Sequence, residues 1–95
     1  MATMYVSYIG GAYLGVATNP ISAVTITTSG TTAKTAAAAP AGAQIAIVVS
    51  DAAHYVNTGP QDTVTAAASN GIYVPANVER HLIINPGDGV AAITV

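Results

Sequence analysis

The chain has 95 residues and a mass of 9.4 kDa, which is enough for one domain but leaves no room for a second hydrophobic core. Only 6% of its residues are charged and its net charge is −2, against a usual charged share of about 25%. Two basic residues cannot neutralise several phosphates or form a polybasic segment, which excludes direct binding to nucleic acid or to anionic lipid. The longest apolar run, residues 43–49, is far shorter than a membrane span. The N-terminus has no Lys or Arg before its apolar residues, so it does not resemble a secretory signal. Without cysteine, the chain has neither thiol chemistry nor disulfides.

Alternation of apolar and polar residues predicts about seven short strands. In chain order they are residues 3–9, 22–28, 44–50, 53–58, 62–67, 78–85 and 90–95. Residues 22–28 alternate most clearly, whereas residues 44–50 (QIAIVVS) are apolar enough for a central strand that is covered on both faces. Turn-forming pairs such as Gly10-Gly11 and Asn70-Gly71 fall between the strands. The sequence therefore predicts a single all-β domain over residues 1–95, a small antiparallel β-sandwich or jelly-roll-like barrel.

Residues 29–43 (SGTTAKTAAAAPAGA) interrupt this pattern because they are low in complexity and almost lack bulky side chains. Pro40 argues against a long helix in this segment. We interpret residues 29–43 as a long loop or arm. Two alternatives remain open at this point: a mobile surface loop, or an arm that a neighbouring subunit orders.

Few residues in the chain can carry chemistry. A metal site in a small barrel usually needs three or more converging ligands, and the two histidines, His54 and His81, show no ligand spacing. A Ser50, Asp51 and His54 triad has no nucleophile elbow or oxyanion loop to support it, and there is no phosphate-binding glycine motif. A small cupin-like enzyme would rest only on the predicted barrel and the two histidines. We therefore predict no enzymatic activity, no cofactor and no metal.

Several polar and aromatic residues are better candidates for contacts with other chains than for catalysis. Arg80 falls on the same predicted strand face as Leu82 and Ile84, which is an unusual place for a charge. It either ends the strand with its aliphatic stem covered, or it pairs with a carboxylate across a subunit boundary. The tyrosines could stack on sugars, but core or interface packing suits them better. The candidate interface residues are Tyr5, Tyr8, Tyr13, Lys34, Glu79 and Arg80.

The C-terminal half, from His54 to Val95, contains short motifs in a recognisable order. They are Ala53-His54-Tyr55-Val56, Gly59, Pro75-Ala76-Asn77, Glu79, Pro86-Gly87-Asp88 and Val90-Ala91-Ala92-Ile93. In order and spacing, this series resembles small structural proteins encoded among the virion genes of tailed bacteriophages. The N-terminal half does not share the resemblance.

The resemblance implies a β-structured, non-enzymatic component of the phage particle. From the resemblance we expect first a capsid decoration (cement) protein, which is made in the host cytoplasm and binds the outer surface of the major capsid protein lattice. It also implies self-association as a homo-oligomer, with a trimer favoured. A head-tail connector, neck or tail component is an alternative, as is a carbohydrate-binding β-sandwich for host attachment, suggested by the tyrosines and polar turns. The scarcity of charge independently suits a surface occupied by further copies and by a shell.

Overall fold

The computed structural model describes residues 2–10 and 21–95, which form eight strands and, within these ranges, no helix. The strands are β1 (Ala2–Gly10), β2 (Ser22–Thr28), β3 (Ala33–Lys34), β4 (Ala43–Ser50), β5 (His54–Pro60), β6 (Ile72–Val74), β7 (Arg80–Ile83) and β8 (Asp88–Thr94). Sheet 1 has the strand order β2-β1-β4-β7 and sheet 2 the order β3-β8-β5-β6, with antiparallel pairing throughout. The two sheets enclose one core, so the prediction of a small antiparallel β-sandwich is confirmed.

Alternation along the strands places one set of side chains between the sheets. In β1, Met4, Val6 and Tyr8 point into the core, while Tyr5 lies on the opposite face. The buried cluster comprises Met4, Val6, Tyr8, Ile26, Ala39, Ala43, Ala46, Val48, Val56, Val74, Leu82, Ile84, Val90 and Ala92. Nine of these fourteen side chains are Ala or Val, so the apolar layer between the sheets consists mainly of small side chains.

A buried polar contact joins the two sheets. His54, at the start of β5, has no exposed surface, and its Nε2 lies 2.6 Å from Oγ1 of Thr28 at the end of β2. The Ala52 carbonyl lies 2.7 Å from Nδ1 and can only accept, which assigns the proton to Nδ1. Nε2 then accepts the Thr28 hydroxyl, which also lies 3.2 Å from the Ala2 carbonyl oxygen. His54 therefore has both ring nitrogens satisfied inside the fold.

The predicted strand at residues 62–67 is wrong. A turn follows Pro60, and Val64 and Ala66 then pack on the outside of sheet 2, against Ala91 and Ile93 of β8. Hydrogen bonds to side chains, instead of backbone pairing with a strand, fix this segment. Nδ2 of Asn57 donates to the Thr65 carbonyl oxygen at 3.0 Å, and the Ala66 amide donates to Oγ1 of Thr32 at 2.9 Å. The alternating pattern reported burial correctly, but it did not reflect strand pairing.

The predicted strand at residues 78–85 is shorter than expected, since β7 begins only at Arg80. A turn precedes it, in which Asn77 has a φ of 62°, a left-handed conformation that asparagine tolerates better than most residues. β3 and β6 were not predicted, because two and three residues are too short to show a period.

Residues 29–43 lie against their own chain. Within this segment β3 pairs with β8, the Thr35 amide donates to the Val90 carbonyl oxygen at 2.9 Å, and the Ala39 amide donates to that of Asp88 at 2.7 Å. The side chains of Thr35 and Ala39 are buried. The predicted loop or arm thus forms one edge of sheet 2, and its own chain supplies the contacts that a neighbouring subunit was considered to provide.

Candidate interaction surface

The outer face of sheet 1 carries a continuous apolar patch. Strand register places Tyr5 beside Val49, Ile47 beside His81, and Ile45 beside Ile83. Directly opposed residues of antiparallel strands have Cβ atoms about 5 Å apart, so these pairs touch and form one surface. We define the apolar patch as Tyr5, Ile45, Ile47, Val49, His81 and Ile83. Tyr5 is 57% exposed and Ile83 is 83% exposed, and the three residues of β4 are half-buried.

The remaining residues of this face are also uncharged. The outward-facing positions of β1 and β2 are completed by Thr3, Ser7, Ala23, Thr25, Thr27 and Ile9, which lies opposite Ile45 and is buried. In the patch itself, Nε2 of His81 lies 3.8 Å from Oε1 of Glu79 at the patch margin. A partner for this surface therefore does not have to supply charges that complement it.

The outer face of sheet 2 differs because the chain covers it. Residues 61–71 cross this face and pack Val64 and Ala66 against β8. Lys34 secures the turn that begins the segment, since its Nζ donates to the carbonyl oxygens of Gln61 at 2.7 Å and Asp62 at 2.8 Å. The described residues thus provide a cover for sheet 2, but they provide none for the apolar patch of sheet 1.

The structure separates the aromatic interface candidates. Tyr5 lies in the apolar patch, whereas Tyr8 is only 1% exposed, so the expectation that Tyr8 serves an interface is corrected. Burial raises the pKa of the Tyr8 phenol above its ordinary value of 10.0, and the nearby Thr35 side chain partly offsets this. Among the described residues, the Tyr8 hydroxyl has no hydrogen-bond partner of normal geometry. Tyr13 lies outside the described residues.

The charged candidates occupy two separate regions. Arg80 opens β7 and is exposed, which corresponds to the alternative of a strand end, and Glu79 precedes it next to the apolar patch. Pairing of Arg80 with a carboxylate of another subunit stays a prediction. Lys34 lies on sheet 2 and binds backbone carbonyls of its own chain, as described above. Glu79 therefore remains next to the apolar patch. Arg80 lies opposite Val48, which is buried in the core, so it ends the strand on the other side of the sheet from the patch, and Lys34 lies on sheet 2.

Sequence reasoning missed the isoleucines and valine of the patch. Residues 44–50 were predicted to be covered on both faces, but in the chain alone only the face with Ala46 and Val48 is fully buried. The signal was present, because a run apolar on both faces requires cover on both faces. The face of β4 with Ile45, Ile47 and Val49 is the one that lacks full cover, and it forms the centre of the patch.

Features that would support small-molecule chemistry are weaker. Tyr55 and Tyr73 lie side by side on sheet 2 with ring centroids 5.8 Å apart, but an interplanar angle of 62° means that they meet edge to face and form no flat stacking platform. A groove of about 390 Å³ between β7 and the β5–β6 hairpin is lined mainly by apolar atoms. In residues 2–10 and 21–95, no three His, Asp or Glu side chains converge as metal ligands.

These ranges also hold no helix with the length and apolar character needed to cross a membrane.

No family model, curated protein or solved structure matches this chain. The class that its own geometry defines is a small antiparallel β-sandwich. Residues 61–71 pack on the outer face of one sheet, and no segment within residues 2–10 and 21–95 covers the apolar patch on the other.

Proposed function

We propose that this chain is a structural virion protein of a tailed bacteriophage, a capsid decoration (cement) protein that docks on the outer surface of the major capsid lattice. The observation that carries the proposal is the apolar patch of sheet 1. It is contiguous, uncharged and rigidly held by three neighbouring strands, which is what a permanent contact with another protein surface requires. The resemblance of the C-terminal half supplies the kind of partner.

The motifs behind the resemblance have structural roles in this fold. His54 bridges the two sheets, and Asn77 and Gly87, with φ values of 62° and 92°, form turns that few residue types accommodate. The motifs are therefore explained by a shared backbone, and they do not themselves form the contact surface. They support the proposal by favouring a common fold with phage structural proteins.

The size of the patch suggests how such a protein would act. Three strands spaced about 4.8 Å apart and five residues long cover roughly 240 Å². A stable interface buries about 800 Å² on each partner, so a single copy would bind weakly. Self-association would add avidity, and the resemblance favours a trimer for this purpose. A ligand that binds only the assembled shell stabilises it by mass action, multiplied over many copies.

Heating of virions tests the proposal. Particles stripped of this protein should release DNA at a lower temperature, and adding the recombinant protein back should restore the original value. Ile83→Lys, which places a charge in the apolar patch, should fail to restore it. Val95→Lys, a matched change at a residue that is 69% exposed and outside the patch, should restore it fully. An unchanged release temperature after stripping would refute the cement role.

Two other outcomes would reassign the protein. Antibody labelling of the neck or tail instead of the head would favour the connector or tail alternative. Specific binding on a glycan array that Tyr73→Ala abolishes would favour the carbohydrate-binding alternative, since that ring is exposed on sheet 2.

A further inference from the structure

β2 is an edge strand without the protection that natural sheet edges carry. It occupies the end of sheet 1, and among residues 2–10 and 21–95 no strand pairs with its outer side. Its seven residues, SAVTITT, contain no charge and no proline, and its register with β1 runs unbroken from Tyr8 opposite Ser22 to Ala2 opposite Thr28. Natural sheets block exposed edges with short strands, lysine, proline or bulges, because open backbone groups recruit another strand.

The other three edges each carry such a device. β3 has two residues and includes Lys34, β6 has three residues and is followed by Pro75, and β7 has four residues and begins with Arg80. β2 is the exception among the edges of the two sheets. Its openness is therefore local to this strand and is not a general property of the fold.

The sequence of β2 is complementary to itself. Thr25 is its central residue, so antiparallel pairing with a second β2 places Thr25 opposite Thr25, Ala23 opposite Thr27, and Val24 opposite Ile26. Cross-strand threonine pairs and β-branched pairs are favourable, and no like charges meet. Val24, which is only partly buried in one copy, would gain cover from Ile26 of the second.

We propose that a second copy of this chain pairs with β2 across a two-fold axis that passes beside Thr25. The resulting sheet has eight strands in the order β7-β4-β1-β2 followed by the same strands reversed. This contact is isologous, the usual arrangement in dimers, and it replaces the trimer that the family resemblance favours. It also joins two apolar patches on one continuous face, which roughly doubles the docking area available to a partner.

Charge substitution at Thr25 tests both the contact and its register. The wild-type chain should sediment as twice its 9.4 kDa mass at micromolar concentration. Thr25→Lys alone and Thr25→Glu alone should each weaken the dimer by up to about fivefold, because each places like charges directly opposite one another. An equimolar mixture of the two variants should recover the dimer, since only pairing of residue 25 with itself puts lysine opposite glutamate.

Three controls separate pairing through β2 from other modes of association. Thr65→Lys adds the same charge at an exposed threonine on the other side of the molecule and should leave the dimer intact. Ile83→Lys should also leave it intact, because β7 is at the far edge of sheet 1; loss of the dimer here would show that the outer faces associate instead. Far-UV circular dichroism establishes that each variant is folded.

A cysteine variant gives an independent readout. The chain has no native cysteine, so Thr25→Cys should form an intermolecular disulfide under mild oxidation, whereas Thr65→Cys should not. Any of three results would overturn the proposal. The wild type could remain a monomer at all concentrations up to about 1 mM, it could form a trimer whose mass Thr25→Lys does not change, or the mixture of the two charged variants could remain monomeric. These measurements use the chain without capsids, so they stand or fall separately from the decoration role.

Discussion

Replacing Thr28 by valine should destabilise the fold by about 2 kcal/mol, although valine has nearly the same shape. The substitution removes the hydroxyl that His54 Nε2 accepts at 2.6 Å, and the imidazole has no access to water as a substitute because it is fully buried. A typical hydrogen bond contributes about 1 kcal/mol, and leaving a buried polar atom without a partner costs about 1–3 kcal/mol. For a chain of this length, whose total stability is expected to be about 5–14 kcal/mol, the loss is large.

The measurement is urea unfolding at neutral pH, followed by circular dichroism at one fixed protein concentration because association adds to apparent stability. Thr27→Val is the matched control: this neighbouring threonine is exposed on the outer face, and its substitution should change the free energy of unfolding by less than about 0.5 kcal/mol. The melting temperature of Thr28→Val should fall by roughly 10 °C.

A double-mutant cycle tests the mechanism directly. His54→Leu removes the acceptor, and in the combined variant no Nε2 remains without a partner. The combined loss should therefore be smaller than the sum of the two single losses by at least about 1 kcal/mol. Losses that add within about 0.5 kcal/mol would refute the argument that Thr28 and His54 are coupled across the sheets.

Three further predictions concern the core, the turns and the cover of sheet 2. Because burial raises the pKa of Tyr8 above 10.0, its contribution to stability is complete below pH 10 and is lost as the pH rises through the folded-state pKa. When the pH is raised above 10, the urea midpoint of Tyr8→Phe should therefore decrease less than that of the wild type. Equal decreases in the two proteins would contradict this prediction. Gly10→Ala should be strongly destabilising, since a Cβ there would collide with the Gly42 carbonyl oxygen, whereas Gly30→Ala, with open space around it, should be nearly neutral in thermal unfolding. Lys34→Met should lower stability by about 1 kcal/mol by releasing two turn carbonyls, and should speed hydrogen exchange of the Ala66 amide; unchanged exchange would show that the clamp is not needed.

The sequence predicted the long strands because each alternates against a single core. β1, β2, β4, β5 and β8 fall within a few residues of their expected positions. β3 and β6 could not be found this way, since their neighbours β8 and β5 recruit them and their own residues show no period. The segment at residues 62–67 shows the opposite error, because a chain that covers the outside of a sheet alternates in burial without pairing.

The candidate surface could be predicted only in part. Tyr5 was expected at an interface and lies in the apolar patch, while the exposure of Ile83 and the half-burial of Ile47 depend on which sheet residues 61–71 cover. That choice is made by tertiary contacts such as the bond between Ala66 and Thr32, which join positions far apart in the chain. No local pattern reports it.

The strand order also has a consequence for how this chain folds. β1 and β8, the first and last of the described strands, are both interior strands of their sheets, and β3 finds β8 only when Ala33 meets Ala92. Closing such long loops costs conformational entropy before any stabilising contact forms, which makes folding slow, on the order of milliseconds to seconds. During that interval the β1–β2 hairpin can form alone with both of its edges open. Refolding yield should therefore depend on protein concentration well before the native state has any chance to associate.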